Sequence, residues 1–78
     1  MNHDQNEKIN QIVCDVFHIT EIAEKDNPDT IATWDSISHL QLITDLEKGF
    51  NIHFSVDDIT KMQTIGMIKQ IVDSYIHN

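Results

Sequence analysis

The sequence contains no arginine, one cysteine, one proline and only two glycines among its 78 residues. A single cysteine cannot form an intramolecular disulfide or build a zinc site from several cysteines. So little proline and glycine leaves few forced breaks in the secondary structure. No apolar run approaches the length needed to cross a membrane. We therefore expect a single domain over residues 1–78 that has no disulfide framework and does not span a membrane.

Positive charge is also scarce, because five lysines face thirteen acidic residues and the formal net charge is −8. Nucleic acids and anionic membrane surfaces bind proteins mainly through lysine and arginine, so neither is expected as a partner. A basic patch on another protein would attract this chain, although the acidity could equally serve only solubility. The polar start MNHDQNEK lacks the apolar segment of a signal peptide, which predicts a cytoplasmic protein.

Apolar residues recur with helical spacing in two long segments. The first predicts a helix over residues 4–17. Its stripe consists of Ile9, Ile12, Val13, Val16 and Phe17. The second helix is expected to begin at Asp35 or Ser36, because aspartate is a favoured N-cap, and to end near Asn51. Its broad apolar arc consists of Ile37, Leu40, Leu42, Ile43, Leu46 and Phe50.

Two further helices and a long connection complete the predicted fold. Ser55 and Asp58 have capping-box spacing and predict a short helix over residues 56–61, whereas Thr64 is the expected N-cap of a last helix. The stripe of that helix consists of Ile65, Ile68, Ile71, Val72, Tyr75 and Ile76. Residues 18–35 lack periodicity and predict a long loop, with a turn near residues 21–25. We expect Ile19, Ile22 and Ile31 to tie this loop to the core.

The predicted architecture is all-α: a small four-helix bundle of three main helices and a short third one, with a long loop between the first two. Residues 33–40, at the start of the second helix, read TWDSISHL. This segment resembles the attachment motif of acyl carrier and peptidyl carrier proteins, whose core is Asp-Ser-Leu. The similarity continues through LQLITDLEKGFNIHF and SVDDITKMQTIGMIKQIV and covers nearly the whole chain. Trp34 and Ile37 depart from the commonest pattern, which has glycine and leucine there.

The resemblance implies that Ser36 receives 4′-phosphopantetheine from coenzyme A and that Asp35 forms part of the same cofactor site. The chain would then shuttle thioester-bound acyl groups and would not be an enzyme, since a transferase supplies the catalysis. The position is physically suitable, because N–H groups in the first helical turn lack internal partners and favour a phosphate. A plain helix cap would explain Asp35 and Ser36 equally well.

The expected partners are a phosphopantetheinyl transferase, an acyl or aminoacyl ligase or transferase, and downstream synthase enzymes. We expect a monomer that docks through residues around Ser36 and through acidic side chains. The candidates for docking are Ile37, Leu40, Asp45, Glu47, Asp57 and Asp58. The departures from the common motif favour a specialised pathway over general fatty-acid synthesis. Two alternatives remain open, an aminoacyl or peptidyl carrier and a helical interaction module without a prosthetic group.

His39 lies one turn after Ser36, and such a pair could in principle form a small hydrolase. No orienting acid, oxyanion hole or nucleophile elbow accompanies the pair in the sequence, so no catalytic residue is expected. The five histidines show no i, i+4 metal spacing, and no metal site is expected. His39 could instead pack on Trp34, whose burial the sequence leaves open. Cys14 is expected to be buried or half-buried on the first helix.

Overall fold

The computed structural model describes residues 3–77, so the predicted domain boundaries at residues 1 and 78 lie outside the described residues. The described chain forms four helices: α1 (His3–Phe17), α2 (Ser36–Phe50), α3 (Val56–Lys61) and α4 (Ile65–Ile76). The predicted all-α architecture, with three main helices and a long loop between α1 and α2, is confirmed. In residues 52–54 apolar and polar residues alternate briefly, as in a strand, but these residues form no strand.

One shared core holds the helices together. α1 supplies Ile9, Val13 and Phe17, all with no exposed surface. Fourteen described apolar residues are buried, and they come from all parts of the chain except α3 itself. They are Ile9, Val13, Phe17, Ile31, Trp34, Leu42, Ile43, Leu46, Phe54, Met62, Ile65, Ile68, Ile71 and Val72. Burial of this apolar surface is the main favourable term in folding.

Three members of the predicted stripes do not lie in this core. Ile37 and Leu40 of α2 and Ile76 of α4 are exposed to solvent. The predicted burial of Ile76 was therefore wrong, whereas Ile37 and Leu40 were predicted to lie on an apolar arc and to dock partners, not to be buried. The apolar arc of α2 is wider than the surface that its neighbours cover, and only Leu42, Ile43 and Leu46 face the core.

Side chains cap the helices where the sequence predicted. The Asp35 carboxylate accepts the backbone N–H of Ser38 at 2.9 Å, and Thr64 Oγ1 accepts that of Met67 at 3.1 Å. α2 ends at Asn51, which adopts the left-handed conformation with φ 58°. These contacts satisfy backbone groups that a helix terminus otherwise leaves without a partner.

The cap of α3 is completed by a residue from another helix. Ser55 Oγ accepts the N–H of Asp58 at 3.1 Å, as a capping box requires. The Ser55 N–H, however, donates to the Tyr75 hydroxyl at 3.0 Å, and that hydroxyl donates to the Asp58 carboxylate. Tyr75 therefore replaces the direct return bond of the capping box and fastens the start of α3 to α4.

The long loop is docked on the start of α4. Its turns include a hydrogen bond from the Asp26 N–H to the Ala23 carbonyl, close to the predicted turn. The first-turn N–H groups of Ile65 and Gly66 donate to the carbonyls of Asp26 and Glu24, at 3.1 and 2.8 Å. A Cβ at Gly66 would lie 3.3 Å from the Glu24 carbonyl oxygen, so glycine permits this close approach. Ile19, Ile22 and Ile31 contact the core as predicted.

Candidate functional site

Ser36 is the first residue of α2, and its side chain is exposed. Asp35 precedes it with extended backbone angles and caps the helix. The backbone N–H of Ser38, which donates to the Asp35 carboxylate, is the main cause that holds the pKa of this group below its usual value. Asp35 is therefore anionic at neutral pH, at the end of the helix where the dipole favours negative charge.

Trp34 is buried beneath this turn, with 4% of its surface exposed. Its ring stacks on Phe17 of α1, with centroids 5.0 Å apart and an interplanar angle of 28°. On the other side it lies nearly parallel to the His39 ring, 6.1 Å away. The expectation that His39 packs on Trp34 is confirmed, and the burial of Trp34, which the sequence left open, is now established.

The hydrogen bonds of His39 determine its tautomer. The Trp34 Nε1–H can only donate, so His39 Nδ1 accepts it, at 3.0 Å. The other ring nitrogen, Nε2, lies 3.1 Å from the carbonyl oxygen of Ile59, which can only accept. In this arrangement Nδ1 accepts and Nε2 donates, and the His39 ring connects the start of α2 to α3. We call these three residues and their two hydrogen bonds the Trp34–His39–Ile59 bridge.

This arrangement does not provide a general base for Ser36. A base must offer a free lone pair within hydrogen-bond reach of the hydroxyl. Both ring nitrogens of His39 are used within the bridge, one as an acceptor and one as a donor. The geometry thus supports the sequence argument against a serine–histidine hydrolase.

An open groove of about 460 Å³ lies beside Ser36. We call it the Ser36 groove. It is lined by Pro28, Trp34, Asp35, Ser36, His39, Leu40, Met62 and Gln63. The loop, the first turns of α2 and the end of α3 thus meet here, although they are distant in sequence. Its walls are mainly apolar, whereas Asp35, Ser36 and Gln63 are polar.

Three large apolar side chains of α2 and α3 are exposed. Ile37 is 80% exposed and Leu40 is 62% exposed, both in the first turns of α2. Val56, the first residue of α3, is 76% exposed. Val56 was not among the site residues predicted from the sequence, although its place directly after a capping serine was a possible signal. Exposed apolar side chains of this kind are typical of protein-binding surfaces.

The four acidic residues considered for docking have different surroundings. Asp57 is exposed, and Asp45 accepts a hydrogen bond from Gln41 at 2.9 Å. Glu47 accepts the backbone N–H of Phe54 at 2.9 Å, and Asp58 accepts the Tyr75 hydroxyl. Glu47 and Asp58 therefore stabilise the connections around α3, and the docking role of all four acids stays a prediction.

Within residues 3–77, no three histidine, cysteine, aspartate or glutamate side chains are placed to hold a metal ion together. None of the helices in this range is both long and apolar enough to cross a membrane. Cys14 is half-buried on α1, as expected, and burial followed by the charge of Asp15 raises the pKa of its thiol. A thiol with a raised pKa is a poor nucleophile at neutral pH.

No protein-family model matches the sequence, and no curated protein matches it. Solved structures do match. The solution structure of a holo acyl carrier protein from Geobacter metallireducens is 25% identical, with a TM-score of 0.86 over 99% of this chain and 88% of that one. A candidate acyl carrier protein from Mycobacterium tuberculosis is 27% identical, with a TM-score of 0.81 over 88% of this chain and 95% of that one.

Proposed function

Because the chain has the acyl carrier protein fold, a non-catalytic carrier fold, over nearly its full length, we propose that it carries 4′-phosphopantetheine on Ser36. In this role it moves thioester-bound acyl intermediates between biosynthetic enzymes. The observation that carries the proposal is the placement of Ser36: exposed, first in α2, directly after the capping Asp35 and on the edge of an open groove. The thiol of the arm supplies the thioester chemistry, and the protein supplies the attachment point and the docking surface.

The residues around Ser36 fit a phosphate-linked arm. The first-turn N–H groups of α2 and the helix dipole favour a phosphate attached to this hydroxyl. Ser36 needs no base within the chain, because the transferase that modifies it supplies the catalysis. The anionic Asp35 beside it is proposed to contribute to the metal-assisted reaction of that transferase. A purely structural role as an N-cap is the simpler explanation of Asp35. A test on Ser36 distinguishes a carrier from a protein in which Asp35 and Ser36 only form the start of a helix.

Partner enzymes are proposed to dock on the exposed apolar residues around Ser36. Ile37, Leu40 and Val56 offer apolar surface, and the exposed Asp57 lies next to Val56. The other acids considered, Asp45, Glu47 and Asp58, contribute to the negative field that attracts basic partners. The partners would be a phosphopantetheinyl transferase, an acyl or aminoacyl ligase or transferase, and downstream synthase enzymes. We also propose that the protein is a monomer and that it acts in the cytoplasm.

The test is the intact mass of the protein after incubation with coenzyme A, magnesium and a broad-specificity phosphopantetheinyl transferase. We expect one phosphopantetheine increment on the wild type and none on Ser36→Ala. Ser38→Ala is the matched control, because it removes a hydroxyl from the same turn and leaves the backbone N–H that Asp35 accepts. This control should be modified like the wild type.

Two other results would change the conclusion. A folded wild type that gains no mass would contradict the carrier proposal and favour an interaction module without a prosthetic group. A mass increment that persists in Ser36→Ala would place the arm on another residue. If the arm is attached as expected, loading by an amino-acid-activating ligase rather than an acyl ligase would identify an aminoacyl or peptidyl carrier.

A further inference from the structure

We propose that the Trp34–His39–Ile59 bridge closes the bundle interior to the cargo of the arm, so that this carrier holds compact or polar cargo in the Ser36 groove. The inference rests on the proposed attachment at Ser36 and adds a specificity role for His39. An arm fixed at Ser36 can place its cargo in the groove or pass it inward between α2 and α3. The bridge lies across the second route.

The bridge is one of two hydrogen-bond networks that connect α3 to other helices. None of the six described residues of α3 is fully buried, so this helix has little packing of its own. At its start, the Tyr75 hydroxyl connects Asp58 and Ser55. In its second half, the Ile59 carbonyl accepts the His39 Nε2–H. His39 therefore helps to hold this half of α3 against α2, together with the packing of Ile59 and Met62 on the core.

The floor of the Ser36 groove is closed by packed side chains. Trp34 is 4% exposed and Met62 is 1% exposed, and both line the groove. An alkyl chain that enters the interior must separate α3 from His39 and displace these side chains. This movement leaves the indole N–H and the His39 Nε2–H without partners in a poorly solvated place, which is costly, whereas the Ile59 carbonyl keeps the backbone N–H of Met62.

The length of the cargo decides whether that cost can be offset. Each methylene transferred from water to an apolar interior favours the buried state by about fourfold in the equilibrium constant. A short acyl or aminoacyl group has few or no methylenes to bury, and the groove offers it both apolar walls and polar edges at Asp35, Ser36 and Gln63. The closed interior therefore favours compact or polar cargo over long alkyl chains.

The experiment compares the protection of two thioesters. Acetyl- and octanoyl-phosphopantetheine are transferred from the corresponding acyl-coenzyme A to Ser36 of the wild type, His39→Ala and His39→Gln. Each loaded protein is then treated with neutral hydroxylamine, which attacks the thioester carbonyl; the C–S bond breaks, the hydroxamate is released and the arm keeps its thiol. Free acetyl- and octanoyl-pantetheine provide the ratio of rates without protection.

For the wild type we expect the ratio of the octanoyl to the acetyl reaction rate to equal that of the free thioesters, because both cargoes lie outside the interior. In His39→Ala the entering chain breaks no hydrogen bond of the bridge and only has to displace Trp34 and Met62, and an octanoyl chain buried nine-tenths of the time would react about tenfold more slowly. His39→Gln keeps one acceptor and one donor and should behave like the wild type. In the unmodified protein, His39→Ala should also speed amide hydrogen exchange in the second half of α3, and His39→Gln should do so much less.

A protected octanoyl thioester in the wild type would overturn the proposal without any variant. A folded His39→Ala protein whose octanoyl thioester reacts as fast as in the wild type would also overturn it, because the bridge would then not be what excludes the chain. Failure of the wild type to accept any arm is a different result, and it contradicts the proposed function instead. If His39→Ala does not fold, the wild type and His39→Gln still decide, since both must leave octanoyl unprotected.

Discussion

Replacing Trp34 with alanine is expected to lower the free energy of unfolding by about 3–5 kcal/mol, the usual cost of removing a buried aromatic ring. Trp34 packs on Phe17, 5.0 Å between ring centroids, and its loss also leaves His39 Nδ1 without a donor. Native proteins have a total stability of roughly 5–15 kcal/mol, so this loss is a large fraction of the total and should lower the urea midpoint strongly. Urea denaturation followed by far-ultraviolet circular dichroism measures the difference.

Trp34→Phe is the matched control, because it keeps an aromatic ring on Phe17 but cannot donate to His39. Its cost should be much smaller than that of Trp34→Ala. It should nevertheless exceed the roughly 0.5 kcal/mol of an unremarkable surface change, since the acceptor in the bridge loses its partner. A loss below about 1 kcal/mol for Trp34→Ala would show that the ring is not part of the folded core.

Replacing Met62 with alanine is expected to cost about 2–5 kcal/mol, the range for truncation of a buried methionine. Met62 directly follows α3 and is 1% exposed, whereas none of the six described residues of that helix is fully buried. It is therefore the principal apolar anchor of this part of the chain. The same denaturation experiment measures the cost, and hydrogen exchange should show the greatest loss of protection around α3.

Met62→Leu is the control for this second variant. It nearly conserves side-chain volume, and such exchanges in a core usually cost less than about 1.5 kcal/mol. Equal costs for the alanine and leucine variants would mean that the thioether, rather than the buried volume, stabilises α3. That result would contradict the packing argument.

The helix boundaries could be predicted because the sequence carries local signals at each terminus. Asp35, Ser55 and Thr64 are N-cap residues whose side chains accept N–H groups two or three positions further on, and all three do so in the structure. The positions of the helices depend on residues close in sequence, and this part of the prediction was confirmed.

The faces of the helices were harder to predict, because burial depends on neighbours that are distant in sequence. Ile37 and Leu40 extend the apolar arc of α2, yet no other element covers them. The same holds for Ile76 at the end of α4. Periodicity shows which residues share a side of a helix, but only the packed fold shows how much of that side is covered.

The candidate site was likewise predictable only where it depends on residues close in sequence. Ser36 and Asp35 could be singled out from a local motif and its resemblance to carrier proteins. The Ser36 groove and the His39–Ile59 contact of the bridge could not, because they bring the start of α2 together with Ile59 and Met62, twenty or more residues along the chain. The role of Tyr75 in completing the cap of α3 likewise depends on a contact between residues 17 and 20 positions apart.

The central claim is that Ser36 bears the arm, and its most direct test is the mass of the protein isolated from its own cells without added enzymes. We predict one phosphopantetheine on the peptide containing Ser36, and a fraction with an additional mass that neutral hydroxylamine removes, as it does from a thioester. That removable mass would identify the cargo. An unmodified Ser36 in all of the protein from growing cells would contradict the account.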